Sequence, residues 1–510
     1  MSNLLDLLDH AAAAHGPRVF AFEAESSRRL GFADLQAQAE RVAAVLTGRL
    51  GIRPGAQVAL LLPNCLDFLP VYFGILRAGA TAVPINARLK ADELEFILGD
   101  SEARALFVHP STWKAAQGAL TRLPHAPPVV AVGFSPGAAP PTAALSFAQV
   151  LAAPEPAPER PRPASAEVAA ILYTSGTTGR PKGALLTHGN LLANVAATKS
   201  GHGLQSSDVH LLVVPLFHVT GLNTLLPTAL DQGAQVVISA QLDPEDLIAT
   251  IAKFNCTTFF GVPTTFYLLT NLKPAGWAGL RSLRLICYSG APMSAQTILR
   301  LREIFPRVEL HNFYGLTETT SVSTVLPDGQ ALARAASVGL PPPGLELRVV
   351  DEHDRPLPAR QVGELCMRGP SVFKGYFKRP EATAEALRGG WFHTGDTACL
   401  DEEGFVFLQG RKQELVIVAG ENVYPLEVEN VLLAHDAVQE AAVFGREDKV
   451  LGEAVHAAVV LRAGRTASER ELKQWALERL AAFKTPRTIR ILDKLPRNAS
   501  GKVLKRELQC

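Results

Sequence analysis

Residues 168–183 read VAAILYTSGTTGRPKG, an apolar run of strand length followed by a turn of small and hydroxyl-bearing residues and a single lysine. Such a turn, placed directly after a buried strand, offers backbone N–H groups and Ser/Thr hydroxyls to an anion, and Lys182 adds a mobile positive charge. Phosphate is the natural guest. A Walker A loop needs GxxxxGKS/T; here Pro181 interrupts the step from Gly179 to Lys182, and Gly183 stands where that loop carries its magnesium-binding hydroxyl.

Outward from this turn, apolar runs of strand length alternate with helical stretches. VALLLP (58–63), ATAVPIN (80–86), HLLVVPL (210–216), AQVVIS (234–239), TTFFGVP (257–263) and LRLICYSG (283–290) read as buried strands, and DFLPVYFGILRAGA and PEDLIATIAKF as helices between them. Buried strands separated by helices predict largely parallel sheets covered on both faces. LAAPEPAPERPRPAS (151–165) is too rich in Pro and Ala for either element and predicts an exposed connector. After about residue 340 the texture changes to short strands and glycine turns, and from 412 a compact helix and strand pattern predicts a small α+β unit.

Gross composition narrows the partners. With 510 residues, 47% hydrophobic and 19% charged, the chain can bury a large core. Fifty basic against 49 acidic side chains leave a formal charge of +1, so no global field recruits nucleic acid or an anionic membrane. No apolar run approaches the ~18 residues of a spanning helix. The opening MSNLLDLLDHAAAAHGPR carries Asp6 and Asp9 in its leucine-rich part, unlike a secretory leader. Cys65, Cys256, Cys287, Cys366, Cys399 and Cys510 are scattered and read as reduced core thiols, so a cytoplasmic location is expected.

The quoted turn closely resembles the phosphate-binding motif S/T-S-G-S/T-T-G-x-P-K-G of the adenylate-forming superfamily, which includes acyl-CoA synthetases, peptide-synthetase adenylation domains and luciferase. Further motifs follow in the family's order: HNFYGLTET (311–319), WFHTGDTACLDEEGFVFLQGRKQE (391–414) and PRNASGKVLKREL at the C-terminal end. The resemblance implies an α/β fold. A large domain, 1–411, would hold mostly parallel sheets sandwiched by helices plus a distorted barrel, and a small mobile α+β domain, 412–510, would follow. It also implies a ligase that joins a carboxylic acid to coenzyme A through an acyl adenylate, with ATP and Mg²⁺.

The family's roles fall on particular residues. Thr174, Ser175, Gly176, Thr177, Thr178, Gly179 and Lys182 would hold the nucleotide's phosphates; Tyr314 would lie against adenine, with Asn312 and Gly315 beside it. Thr317 would bind the α-phosphate and Glu318 the Mg²⁺; one carboxylate plus phosphate oxygens suits that ion. Asp396 and Arg411 would reach the ribose, and a carboxylate can accept both hydroxyls of a vicinal diol. Lys502 would bind the reacting carboxylate and the α-phosphate, relieving the repulsion between two anions. The small domain would pivot at Gln413, where relatives carry Asp or Lys. Ala419, Gly420 and Glu421 would border the pantetheine arm of coenzyme A, and Phe483, Lys484 and Arg487 its nucleotide end.

The acyl pocket is expected from His218, Gly221, Val262, Ser289, Gly290, Ala291 and Leu316. These walls are small and apolar, without arginine or lysine for a second carboxylate, so an apolar monocarboxylate, fatty or aryl, is expected and a diacid such as malonate disfavoured. His218 stands where amino-acid-activating relatives place an aspartate, and is expected as a wall and gate of the pocket in the catalytic set. A base is superfluous for an acid already ionised near pH 7. A separate carrier protein as acyl acceptor, a non-catalytic relative and a homodimer are left open at this stage.

Overall fold

The computed structural model describes residues 1–135, 143–154, 162–174, 180–270, 272, 277, 280–290, 293, 295–419, 421–448, 451–497 and 503–509. Two compact units emerge, and the chain crosses between them more than once. The first comprises Met1–Arg334, Pro341–Glu346 and Arg368–Leu387; the second comprises Ala335–Leu340, Leu347–Met367 and Arg388–Cys510.

The first unit contains two eight-stranded sheets. In one, Lys182–Thr187 lies between Gly375–Tyr376 and Val168–Thr174, and the sheet continues through Thr81–Pro84, Gln57–Leu61, Ala105–Val108, Val129–Ala131 and Ala143–Ser146. In the other, Glu309–Tyr314, Leu285–Tyr288, Thr258–Gly261, Val209–Leu212, Gln235–Ile238 and Val19–Glu23 run side by side, with Thr324–Leu326 and Arg29–Gly31 at its edges. Pairing is parallel through the middle of each sheet; it turns antiparallel at both edges of the second and around Lys182–Thr187 in the first, whose other end, Ala143–Ser146 against Val129–Ala131, stays parallel. The runs read as buried strands are therefore strands, with almost wholly buried faces such as Ala105–Val108 and Leu285–Tyr288. Each fully buried Leu, Ile, Val or Phe contributes about 1.5–3 kcal/mol.

The helix Phe68–Arg77 is apolar all round, and Phe68 to Leu76 are all buried. It approaches the helix Phe32–Gly48 so closely that a Cβ on Gly74 would lie 2.4 Å from the Cβ of Val42. Only a residue without a side chain permits that contact. Pro244–Phe254, expected as a helix, is one; Asp243 caps it and Asn255 ends it in the left-handed conformation. Only the ends of the expected connector 151–165 are open to view, since 155–161 fall outside the described residues.

The second unit holds a four-stranded sheet, Glu346–Val350, Gly363–Arg368, Phe392–Leu400 and Val406–Arg411, over the stretch where short strands and glycine turns were expected. It also holds a five-stranded sheet built on the long pair Val438–Asp448 and Gly452–Leu461. The helices Pro425–Leu433 and Glu469–Leu477 contribute Val428, Leu432, Leu472 and Ala476 to the core of that sheet. Ser468 and Glu471 form a reciprocal capping box at the start of Glu469–Leu477, as the sequence S-E-R-E allows.

Among the described residues, no helix is long and apolar enough to cross a membrane. Cys65, Cys256, Cys287 and Cys366 are buried and unbridged, and burial pushes the Cys65, Cys256 and Cys366 thiols up to about 12. They are inert core residues, as expected; Cys510 lies outside the described residues.

Candidate active site

The strand Val168–Thr174 pairs antiparallel with Lys182–Thr187, with Tyr173 opposite Gly183 and Thr174 opposite Lys182. The strands on either side of the glycine-rich segment are therefore antiparallel neighbours. A Walker A loop leads from a strand into a helix, so the topology independently excludes that reading. Ser175, Gly176, Thr177, Thr178 and Gly179 lie outside the described residues. At the ends of these strands the placement is tight: a Cβ on Gly183 would lie 2.6 Å from Ile171 Cγ2, and the Tyr173 hydroxyl donates to Asp100 at 2.7 Å. The Lys182 ammonium sits over the ring of Tyr376, 5.2 Å from its centroid.

Asn312 and Tyr314 come from the strand Glu309–Tyr314, Asn312 buried and Tyr314 half-buried at its end. The chain then turns sharply. A Cβ on Gly315 would fall 1.2 Å from the carbonyl oxygen of Ser321, so this position admits glycine alone. Thr317–Thr319 form a single 3₁₀ turn, followed by Thr320 and Ser321 with φ of +61° and +98°. Non-glycine residues in that region are strained, and such strain concentrates at functional sites. It is held by hydrogen bonds: Thr320 Oγ1 donates to the Ser371 carbonyl at 2.6 Å, Ser323 Oγ donates to Thr319 Oγ1 at 2.6 Å, and the hydroxyls of Ser321 and Thr220 meet at 3.3 Å. Glu318, buried in this turn, accepts the Tyr376 O–H at 2.9 Å through Oε1, while its backbone carbonyl accepts the Phe373 N–H at 2.7 Å. A buried carboxylate beside Thr317, in a turn lined with hydroxyl oxygens, is a hard-donor environment of the kind Mg²⁺ favours.

His218 is exposed, and desolvation by the protein packed around it lowers its imidazole pKa. After it, Thr220–Leu225 forms a π-helical turn that runs into the helix Leu226–Gln232. Gly221 is buried in that turn, and a Cβ there would lie 2.4 Å from the Pro215 carbonyl oxygen. Its missing side chain thus lets two backbones meet; no room for an acyl chain follows from it. Val262 is 50% exposed, Leu316 and Ser289 are half-buried, and Gly290 is exposed with φ of +83°. Ala291 lies outside the described residues.

In the second unit, Asp396 and Arg411 face each other across adjacent strands, with Arg411 Nε 2.7 Å from Asp396 Oδ1. The sequence reading assigned both to one sugar, and the fold brings them together. Close by, Glu364 is buried and meets Lys412 at 3.1 Å, Arg388 at 3.3 Å and His393 at 3.4 Å. Burial pushes its carboxyl up, but Lys412 and His393 more than offset this and hold it below the ordinary value. Gln413 lies in the 3₁₀ turn Lys412–Glu414. Beyond it, Lys505 is clamped between Glu414 at 2.6 Å and Glu429 at 2.8 Å.

Ala419 has a left-handed φ of +51° and Glu421 is exposed, while Gly420 lies outside the described residues. Phe483 is 37% exposed. Lys484 forms hydrogen bonds to both carboxylate oxygens of Glu427, at 2.7 and 2.8 Å, and Arg487 is paired with Asp448. The two cations expected at coenzyme A are therefore each engaged by a carboxylate. Lys502 lies outside the described residues.

The AMP-binding enzyme profile matches residues 8–377 and the AMP-binding enzyme C-terminal domain profile matches 427–502. The chain belongs to the AMP-binding enzyme family. Among its relatives, a feruloyl-CoA synthase of Amycolatopsis is 36% identical over 485 residues, 94% of this chain and 93% of the relative. An oxalate–CoA ligase of Arabidopsis thaliana is also 36% identical, over 475 residues, 92% of this chain and 90% of the relative. Among solved structures, the o-succinylbenzoate CoA synthetase of Bacillus subtilis in complex with its acyl-adenylate intermediate is similar with a TM-score of 0.87 and 30% identity, covering 100% of this chain and 98% of that one. This member of the AMP-binding enzyme family is an AMP-forming acyl-CoA synthetase.

Residues 374–383, KGYFKRPEAT, supplied a contact that the motif reading did not single out: Tyr376, which touches both Lys182 and Glu318. Glu364 and Lys412 were likewise missed. The signal for both would have been an acidic residue inside an apolar strand, GELCMR, which must find a cation once buried.

Proposed function

We propose that the enzyme activates an apolar monocarboxylic acid, fatty or aryl, and transfers it to coenzyme A. ATP and coenzyme A are its co-substrates. Relationship alone leaves the acid open, because a feruloyl-CoA synthase and an oxalate–CoA ligase match at the same 36% identity. What supports the choice is the composition of the expected wall: His218, Val262, Ser289, Gly290 and Leu316 include no arginine or lysine. A second carboxylate entering there would lose hydration without gaining a partner.

In the first half-reaction a carboxylate oxygen of the acid attacks the α-phosphorus of ATP, and the bond from that phosphorus to the β-phosphate oxygen breaks, releasing pyrophosphate. In the second, the sulfur of coenzyme A attacks the acyl carbon, the thiol proton is lost, and the bond to AMP breaks to give the thioester. No side-chain nucleophile is consumed; the residues position the reactants and stabilise charge. Ser175, Thr177, Thr178 and Lys182 hold the phosphates that depart, Thr317 and Lys502 act at the α-phosphate, Tyr314 lies against adenine, and Asp396 and Arg411 hold the ribose. Glu318 would hold Mg²⁺, which neutralises charge on the phosphates when bound. The segment from Lys412 onward pivots at Gln413 between half-reactions, and Ala419, Gly420, Phe483, Lys484 and Arg487 then meet coenzyme A.

Pyrophosphate release, measured with coenzyme A present over fatty, aryl and dicarboxylic acids, tests the reading. We expect kcat/KM for the best apolar monocarboxylate to exceed that for oxalate, malonate or succinate by about 100-fold, the scale of one unpaired buried charge. A diacid as preferred substrate refutes the assignment of the pocket.

A further inference from the structure

The aromatic residue at the end of the shortest strand in the first unit stands between two groups of the nucleotide site that come from distant parts of the chain. Tyr376 donates its phenol O–H to Glu318 Oε1 at 2.9 Å, and the face of the same ring carries the Lys182 ammonium, 5.2 Å from the centroid. We infer that Tyr376 is a positioning residue for adenylate formation: its hydroxyl fixes the plane of the Glu318 carboxylate for a divalent cation, and its ring holds Lys182 in place for the phosphates. This rests on the assignment of Glu318 to Mg²⁺ and of Lys182 to phosphate.

The geometry around Tyr376 is built to place that side chain. Gly375 and Tyr376 pair antiparallel with Leu185 and Ala184 of the strand that Lys182 begins. Hydrogen bonds extend this pairing on either side, from the Lys374 N–H to the Leu185 carbonyl at 2.9 Å and from the Phe377 N–H to the Gly183 carbonyl at 2.8 Å. On the other flank the Phe373 N–H donates to the Glu318 carbonyl at 2.7 Å, so the segment 373–377 is tied both to the strand that follows Lys182 and to Glu318. Gly375 adopts φ of +143°, and a Cβ there would lie 2.5 Å from Thr383 Cγ2. Thr383 Oγ1 also accepts the Tyr376 N–H at 2.8 Å, and the Phe373 ring meets the Tyr376 ring edge-on at 4.8 Å. Backbone, hydroxyl and neighbouring ring together leave the tyrosine little freedom.

A hydrogen bond to the carboxylate of a metal ligand typically changes metal affinity by about 10- to 100-fold when removed. An ammonium over an aromatic face gains a smaller amount, about two- to fivefold in affinity at a partly exposed site. The two functions of Tyr376 are therefore separable by substitution. Y376F keeps the ring and loses the hydroxyl; Y376L loses both.

Calorimetric titration of the full-length protein with ATP, with and without Mg²⁺, reads each function apart from turnover. The quantity of interest is the gain in ATP affinity that Mg²⁺ confers. For Y376F we expect that gain to fall about tenfold while metal-free ATP affinity stays within twofold of wild type. For Y376L we expect the same loss of gain together with an about threefold weaker metal-free affinity. E318Q should abolish the gain, and adding Y376F to it should change nothing further. A melting temperature for Y376F near that of the wild type confirms that the fold is kept. An unchanged gain in Y376F beside a lost gain in E318Q overturns the inference and leaves Glu318 as metal ligand; an unchanged gain in E318Q overturns both.

Discussion

The two units hold their candidate functional side chains by different means. In the first, Glu318, Thr317 and Tyr314 are fixed by backbone that has no alternative: Gly315 cannot accept a Cβ, and Thr320 and Ser321 are kept at positive φ by buried hydrogen bonds. In the second, cation–carboxylate pairs hold the corresponding groups: Arg411 with Asp396, Lys412 with Glu364, Lys484 with Glu427 and Arg487 with Asp448. Strained, hydrogen-bonded backbone resists change. The more exposed of the pairs, Lys484 with Glu427 and Arg487 with Asp448, contribute only about 0–1 kcal/mol each and exchange partners readily. On the proposed mechanism, a segment that serves two half-reactions would be rewired at this low cost, whereas a nucleotide turn with one task would stay rigid.

The largest effect that would sharpen this contrast comes from Lys502→Ala. Loss of a positioned cation at developing charge costs about 10²–10³ in rate. We expect that drop in pyrophosphate release, with transfer from preformed acyl adenylate to coenzyme A reduced less than tenfold; equal losses in both steps would break the separation of tasks. Gly315→Ala comes next. The added methyl meets the Ser321 carbonyl, and we expect a destabilisation of about 3 kcal/mol, read as a lower thermal midpoint with loss of ATP binding. An unshifted midpoint would show that the turn is not rigid.

Smaller effects belong to the ion-paired side chains. Lys484→Ala and Arg487→Ala should each raise KM for coenzyme A by about tenfold with kcat little changed, more so at low salt, because exposed charges are screened. The mildest test is acid stability. Glu364 has a carboxyl pKa depressed below the ordinary 4.5 by Lys412 and His393. Its ionised form therefore contributes stability at and above that ordinary value, and the contribution is lost as pH falls through the folded-state pKa. Wild type should lose thermal stability from about pH 4.5 downward, and Glu364→Gln should show a lower midpoint at pH 7 but a flatter decline in acid.

The parts of the site legible in the sequence are those whose chemistry is local. A glycine-rich turn after an apolar strand, a glycine before a hydroxyl-rich stretch and an aspartate opposite an arginine each lie within a short window or on adjacent strands. Tyr376 could not be read this way: its meaning depends on a two-residue strand that pairs with residues 184 and 185, and two residues carry no periodicity. The partners of Lys484 and Arg487 lie 57 and 39 positions away, so their neutralisation was equally silent. Gly221 was expected in the acyl pocket; in the π-helical turn the place of its missing side chain is taken by the Val214 and Pro215 carbonyls, which spacing in the sequence could not reveal. The parallel sheets were legible because both faces are covered, and continuous apolar runs report that directly.

The antiparallel pair Val168–Thr174/Lys182–Thr187 has one more consequence. A phosphate loop that opens a helix places the anion on a column of aligned peptide dipoles. A loop that returns into a strand has no such column behind it, because strand dipoles alternate and largely cancel. The amides, hydroxyls and single lysine expected to meet phosphate there would act without that column, and the lysine's share of the attraction is the part that added electrolyte screens.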